Sequence, residues 1–261
     1  MSLEATTASR LGERLYDAYR TGEALAPMRE EHDLTEADGY AVQRELLERR
    51  EADEGERVGY KVGFTSEAVQ ERLGRDEPAF GHILEGTVRE EGPVPVDELV
   101  APVIEPEIAF LLEGDVSPGA SALDVLAATR AVVPTIEVAD CRTVDWDITG
   151  PEAIADNTLS GRVAHAGRLA DPTAVDLAAE SVVVRRNGAV AATGTGTDVL
   201  GGPTNVVTWL ADALAEHGES LSAGDTVITG SMTDIVPLEP GDTIEARFGT
   251  LGSVTVHGSQ G

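Results

Sequence analysis

Apolar residues in the early part of the chain recur at helical spacing. Leu11, Leu15, Ala18 and Tyr19 fall on one helical face, and Tyr40, Val42, Leu46 and Leu47 on another. Residues 1–57 are therefore expected to be helical. From Val58 the pattern changes to short β-type runs bounded by Gly, Pro and Asp: VGYKVGF, VIEPEIAFLL, AVVPTIEVAD, SVVVRR, DTVITG, DTIEARF and SVTVHG. Asn187-Gly188 after SVVVRR predicts a type I′ hairpin, a turn that needs positive φ at both positions. Two helices interrupt the β material. One covers ALDVLAATRA; the other is PTNVVTWLADALAEHG, with Pro203 near its start and Gly218 past its end. AGDT and PGDT each precede a strand, which predicts successive hairpins of one folded sheet. The fold class is α+β: a helical N-terminal part (1–57) and a β-rich core with flanking helices (58–261), together one structural unit.

Composition narrows the partners. The 261 residues are 41% hydrophobic, enough for a buried core. Forty-seven acidic residues against nineteen basic ones give a net charge of −28. A field of that sign repels nucleic acid and anionic membrane. The acids are dispersed rather than gathered in a tail, and eighteen arginines accompany one lysine. This acidic, lysine-poor shell predicts a halophilic source. The one cysteine, Cys141, excludes an intramolecular disulfide and has no activating partner in sequence that would mark a nucleophile. With no secretory leader pattern and no apolar run of membrane length, the expectation is a cytoplasmic protein.

Three glutamates and the lysine stand out. In a strand across APVIEPEIAFLLEGD, Glu105 and Glu107 share a face, and Ile104, Ile108, Phe110 and Leu112 make the other face apolar. Pro106 donates no ladder bond and so implies an edge or an interruption there. Glu137 sits mid-strand in AVVPTIEVAD. Three carboxylates with no matching His or Cys set make an all-oxygen site suited to Mg²⁺ or Mn²⁺. Spacing alone leaves a second reading open, a solvated face on an edge strand. Lys61 lies between Gly59 and Gly63, which lets a ligand or another backbone approach closely. It would hold a substrate carboxylate or, desolvated toward neutrality, carry a proton; the plainer reading is a structural ion pair. Thr65 and Ser66 are placed to cap the helix SEAVQERLG, whose N-terminus favours an anion. IADNTLSG offers Asp156, Asn157 and Ser160, although by spacing it reads first as a turn. TGTGTDVLGGPTN has neither GxGxxG spacing nor GK[ST], and the five histidines show no metal spacing.

GYKVGFTS, EPEIAFLL, PTIEVADCR, ADNTLSG, GGPTNVVTWLA and AGDTVITGSM occur in that order. Together they resemble the fumarylacetoacetate hydrolase superfamily, in its 2-keto-4-pentenoate hydratase/4-oxalocrotonate decarboxylase branch. The resemblance implies a mixed β-roll fold and a homo-oligomer, with possible association with a sister hydratase or decarboxylase. It implies Mg²⁺ (or Mn²⁺) held at Glu105, Glu107 and Glu137, an active-site lysine at Lys61, and a short 2-keto or 2-hydroxy-dienoate substrate. Thr65, Ser66, Asp156, Asn157 and Ser160 are the candidate substrate-binding residues. The implied reaction is hydration in aromatic catabolism, with decarboxylation as the alternative. An acylpyruvate-type C–C hydrolase and a non-catalytic partner subunit are the remaining readings. Ala79 in DEPAFGHI departs from the branch, since many of its hydratases carry an aspartate there.

Overall fold

The computed structural model describes residues 3–260; Met1, Ser2 and Gly261, the ends of the two expected parts, lie outside the described residues. Two helices open the chain, α1 (Ala5–Thr21) and α2 (Glu36–Glu54). Thr35 begins α2 with a capping box, its side chain accepting from the Asp38 N–H while Asp38 reaches back. The two helices pack through Leu11, Leu15, Val42 and Leu46. They approach so closely that a Cβ on Gly12 would meet Glu45 Cβ at 2.7 Å.

Strands begin at β1 (Arg57–Gly63), followed by α3 (Glu67–Leu73), β2 (Ala79–Leu84), β3 (Val88–Glu90) and β4 (Gly92–Pro95). Next come the two longest strands, β5 (Pro102–Leu112) and β6 (Thr129–Asp140), joined through α4 (Ala122–Ala128). The expected helix ALDVLAATRA thus ends earlier than its pattern, because β-branched Thr129, Val132 and Val133 already belong to β6. The chain continues through α5 (Gly150–Ala155), β7 (Arg162–His165), β8 (Ser181–Arg186), β9 (Ala189–Thr195) and α6 (Pro203–Glu216). It closes with β10 (Thr226–Ile228), β11 (Val236–Pro237), β12 (Thr243–Phe248) and β13 (Ser253–Ser259). Asn187 and Gly188 have φ of 53° and 84°, as the hairpin between β8 and β9 requires.

Two sheets result. The larger has the order β2-β1-β10-β5-β6-β7-β3, with β11 also paired to β5; the smaller is β4-β13-β12-β8-β9. The strands after AGDT and PGDT are not hairpin neighbours in one sheet. β10 lies between β1 and β5 in the larger sheet, whereas β12 pairs with β13 and β8 in the smaller. A shared turn sequence fixes a local bend, not the partner of the strand that follows it. The mixed sheets and surrounding helices make an α+β fold.

β5 is a central strand that is interrupted on one side. β10 pairs with Ala109–Leu111 and β11 with Val103–Ile104, leaving the stretch around Pro106 without a ladder there. The loop between β10 and β11 fills the gap, and the Met232 N–H donates to the Pro106 carbonyl at 2.9 Å. Pro106 is therefore an interruption within the sheet, not a mark of an edge.

Candidate active site

Register places the glutamates. Glu105 lies directly opposite Glu137 across the β5–β6 pair, and Glu107 opposite Thr135. All three carboxylates project from one face, each offering an oxygen within 4.8 Å of the others'. Glu107 and Glu137 are fully buried, while Glu105 opens partly to a cavity. The solvated-edge reading is thereby excluded. Glu107 Oε2 accepts the Gly230 N–H at 2.7 Å. Oε1 of Glu107 and Oε1 of Glu137 are buried with no hydrogen-bond partner among the described residues.

Lys61 comes from β1, two strands away; Ile228 of β10 pairs with Lys61 on one side and Ala109 on the other. Its side chain is 3% exposed, with Nζ 2.8 Å from Glu137 Oε2. Nζ also donates to the Thr158 carbonyl at 2.9 Å. The flanking glycines admit close approach of protein, and Gly63 also borders the cavity. A Cβ on Gly59 would strike the Thr226 carbonyl at 1.9 Å, and one on Gly63 would strike Thr158 Cγ2 at 2.6 Å.

The electrostatics follow from burial. Loss of water pushes the Glu105 carboxyl up to about 7, with Lys61 pulling it down and Glu137 pushing it further up. Burial, then the charge of Glu137, raise Glu107 well above the usual carboxylate range. For Lys61 burial favours the neutral amine, but Glu137, Glu105 and Glu107 outweigh it and the pKa is raised. The desolvation expected of Lys61 is present, and the three carboxylates oppose it. Three buried carboxylates against one ammonium leave an excess of negative charge and unpartnered acceptor oxygens. That donor set fits a hard divalent cation such as Mg²⁺.

Lys61 and Glu105 line a cavity of about 940 Å³. Thr65 and Ser66 line it too. Ser66 occupies the N-cap position of α3, yet its side chain makes no capping bond. Asp156, Asn157 and Ser160 are buried but absent from the cavity wall. Asp156 pairs with Arg142 at 3.2 Å and accepts its backbone N–H; the Ser160 carbonyl accepts from Arg142 Nη2. Asn157 grips β2, accepting the His82 N–H and donating to the His82 carbonyl. Their neighbours Thr158 and Leu159 face the cavity instead. Phe64, Trp146, Ile148 and Leu159 form an apolar wall, backed by buried Cys141 and Ala153. Burial pushes the Cys141 thiol up to about 12, so it is no nucleophile.

Sequence reasoning did not single out the Thr158 carbonyl, the Gly230 N–H or the apolar wall. Gly230 stood in the motif AGDTVITGSM; a left-handed turn of non-glycine residues at 157–159 leaves no mark in composition.

The Fumarylacetoacetate (FAA) hydrolase C-terminal family matches residues 73–257. A 2-hydroxyhexa-2,4-dienoate hydratase of Comamonas testosteroni is 37% identical over 251 residues, covering 94% of this chain and 95% of the relative. A 4-oxalocrotonate decarboxylase of Pseudomonas putida is 39% identical over 225 residues, covering 85% of each. Among solved structures, 4-oxalocrotonate decarboxylase from Pseudomonas putida G7, complexed with magnesium and adipate, superposes with a TM-score of 0.94 at 35% identity and 98% coverage of both chains. A fold and a sequence that agree over nearly the whole length leave one assignment: the chain belongs to the fumarylacetoacetate hydrolase family.

Proposed function

We propose that the protein is a metal-dependent lyase of the 2-keto-4-pentenoate (2-hydroxypenta-2,4-dienoate) hydratase type. It acts on short 2-hydroxy-dienoates or their 2-keto tautomers. One observation carries the reading: Glu105, Glu107, Glu137 and Lys61 converge beside a cavity large enough for such a substrate. Relatives named as hydratases over nearly the whole chain support it. Glu105, Glu107 and Glu137 would hold Mg²⁺, with Mn²⁺ the closest substitute. When bound, the ion supplies Lewis-acid stabilisation of charge on the substrate's oxygens.

The chain's own groups do the rest. Lys61 has three N–H directions, and two are taken by Glu137 and Thr158. The third is free to donate to a substrate carboxylate or to the C2 oxygen, where a proton interconverts enol and ketone. Phe64, Trp146, Ile148 and Leu159 pack the diene tail and exclude bulk water from it. Thr65 and Ser66, at the start of α3, are polar groups for orienting the carboxylate end.

Decarboxylation of 4-oxalocrotonate is the second reading, favoured by two observations. The decarboxylase relatives are equally similar. Ala79, buried opposite Gly63, brings no acid to that position for handling protons in hydration. The test is incubation with Mg²⁺ and either 2-hydroxypenta-2,4-dienoate or 4-oxalocrotonate, following ultraviolet loss and CO₂ separately. Loss of dienoate absorbance without CO₂ supports the hydratase, CO₂ release from 4-oxalocrotonate supports the second reading, and neither signal ends both. The further setting is a homo-oligomer in a salt-rich cytoplasm, with association with a sister hydratase or decarboxylase as a possible arrangement. No helix among the described residues is long and apolar enough to cross a membrane.

A further inference from the structure

Asn157, Thr158 and Leu159 have φ of 51°, 51° and 63°. A single non-glycine residue in the left-handed region is uncommon, and three in succession persist only where the surroundings hold them. The surroundings here are strands β1 and β2. Asn157 Oδ1 accepts the His82 N–H at 2.8 Å while its Nδ2 donates to the His82 carbonyl at 2.9 Å. Thr158 Oγ1 donates to the Phe80 carbonyl at 2.7 Å. Both strands carry glycine where the turn lies against them. A Cβ on Gly81 would meet the Asn157 carbonyl oxygen at 2.5 Å, and one on Gly63 would meet Thr158 Cγ2 at 2.6 Å. All of this delivers one atom to the site, the Thr158 carbonyl oxygen that accepts from Lys61.

We propose that this left-handed turn is a positioning device for Lys61, with Asn157 and Thr158 as its positioning residues; the proposal rests on the reading of Lys61 as the group that meets substrate. A lysine side chain has four rotatable bonds, and an ion pair with Glu137 alone leaves the ammonium free to swivel. A second, fixed acceptor on the protein side sets where the remaining N–H points. Orientation of that kind bears on turnover more than on affinity.

The chain has one lysine, so protein labelled with [¹⁵N]lysine gives one Nζ resonance. Thr158→Val keeps the shape and removes the hydroxyl. The Phe80 carbonyl keeps its bond from Gln43, so no acceptor is orphaned. In the Mg²⁺-loaded full-length protein, Thr158→Val is expected to shift the Nζ resonance and speed its hydrogen exchange. It should also lower kcat at least about tenfold while KM and the Mg²⁺ dissociation constant stay within about threefold. Thr158→Ser, which retains the hydroxyl, should recover most of the lost kcat and the original resonance. Wild-type kcat or an unmoved Nζ resonance in Thr158→Val overturns the proposal. If that variant does not fold, Gly81→Ala, whose Cβ would press on the Asn157 carbonyl and push the turn off β2, must move the same resonance. Should the wild type be inactive on both dienoates, the resonance still decides the positioning claim separately from the proposed reaction.

Discussion

A guanidinium is planar, wider than an ammonium and always charged, and it has no room where Nζ of Lys61 sits between Glu137 and the Thr158 carbonyl. Lys61→Arg should fold and yet lose about 100-fold in kcat/KM, with most of the loss in kcat if Lys61 moves a proton and most in KM if it binds a carboxylate. Near-normal kinetics would make the lysine incidental. Glu105 is the least buried of the three carboxylates, so Glu105→Gln should spare the melting temperature while abolishing metal-dependent turnover. The metal-free cluster also has a pH signature. Burial raises Glu105 to about 7 and lifts Glu107 well above the usual carboxylate range, so the folded protein binds protons that the unfolded chain releases above about 4.5. Stability contributed this way is present at low pH and is lost as pH rises through 7. Mg²⁺ displaces those protons, so its stabilisation should be larger at pH 8 than at pH 5.5, measured as the rise in melting temperature over EDTA-treated protein. Glu107→Gln should shrink that difference, leaving the part that Glu105 contributes; an equal rise at both pH values in the wild type would contradict the argument.

Elements meet around a second buried charge. Arg142 follows β6 and donates to the carbonyls of Asp140 and Ser160, pairs with Asp156 after α5, and lies 4.9 Å from the centre of the Tyr19 ring of α1. It ties the N-terminal helices to the strand that carries Glu137. Arg142→Met leaves Asp140 and Asp156 buried without their cation, and should cost about 3–5 kcal/mol at pH 8 in denaturant unfolding. The loss should be smaller at pH 5. Burial, opposed by Arg142, raises Asp156 to about 6, and an acid raised in the fold costs stability as pH climbs through that value. An unchanged midpoint at pH 8 would show that the cluster is dispensable. How far such features were readable in advance varies with range. The period-two pattern of APVIEPEIAFLL put Glu105 and Glu107 on one face because alternation is a property of the strand itself. That Glu137 lies opposite Glu105 is a matter of register between strands 32 positions apart, which the residue pattern alone did not fix. AGDT and PGDT look alike but feed different sheets, and Asp156, Asn157 and Ser160, read as a turn and as candidate substrate-binding groups, are buried away from the cavity wall.

At the scale of the molecule, 47 acidic residues surround a site that must admit an anion. Asp145, Asp147, Asp198 and Asp234 stand along the cavity against a single arginine, Arg72. Asp147 is neutralised by Arg29, but Asp145 and Asp234 are exposed. In dilute buffer the summed field opposes both the compact state and an incoming carboxylate. Salt shortens the reach of that field from about 10 Å at 0.1 M to about 3 Å at 1 M. The surface ion pairs that salt weakens, such as exposed Arg10 with Glu31, contribute little, so the relief of repulsion should win. The buried contact between Lys61 and Glu137 is shielded from ions and should change little. Raising KCl from 0.1 to about 1 M should therefore raise the melting temperature and lower KM for the dienoate several-fold, with kcat nearly constant. A protein equally stable in dilute buffer, with a KM indifferent to salt, would show that the acidic shell is neither an adaptation to salt nor a barrier to substrate.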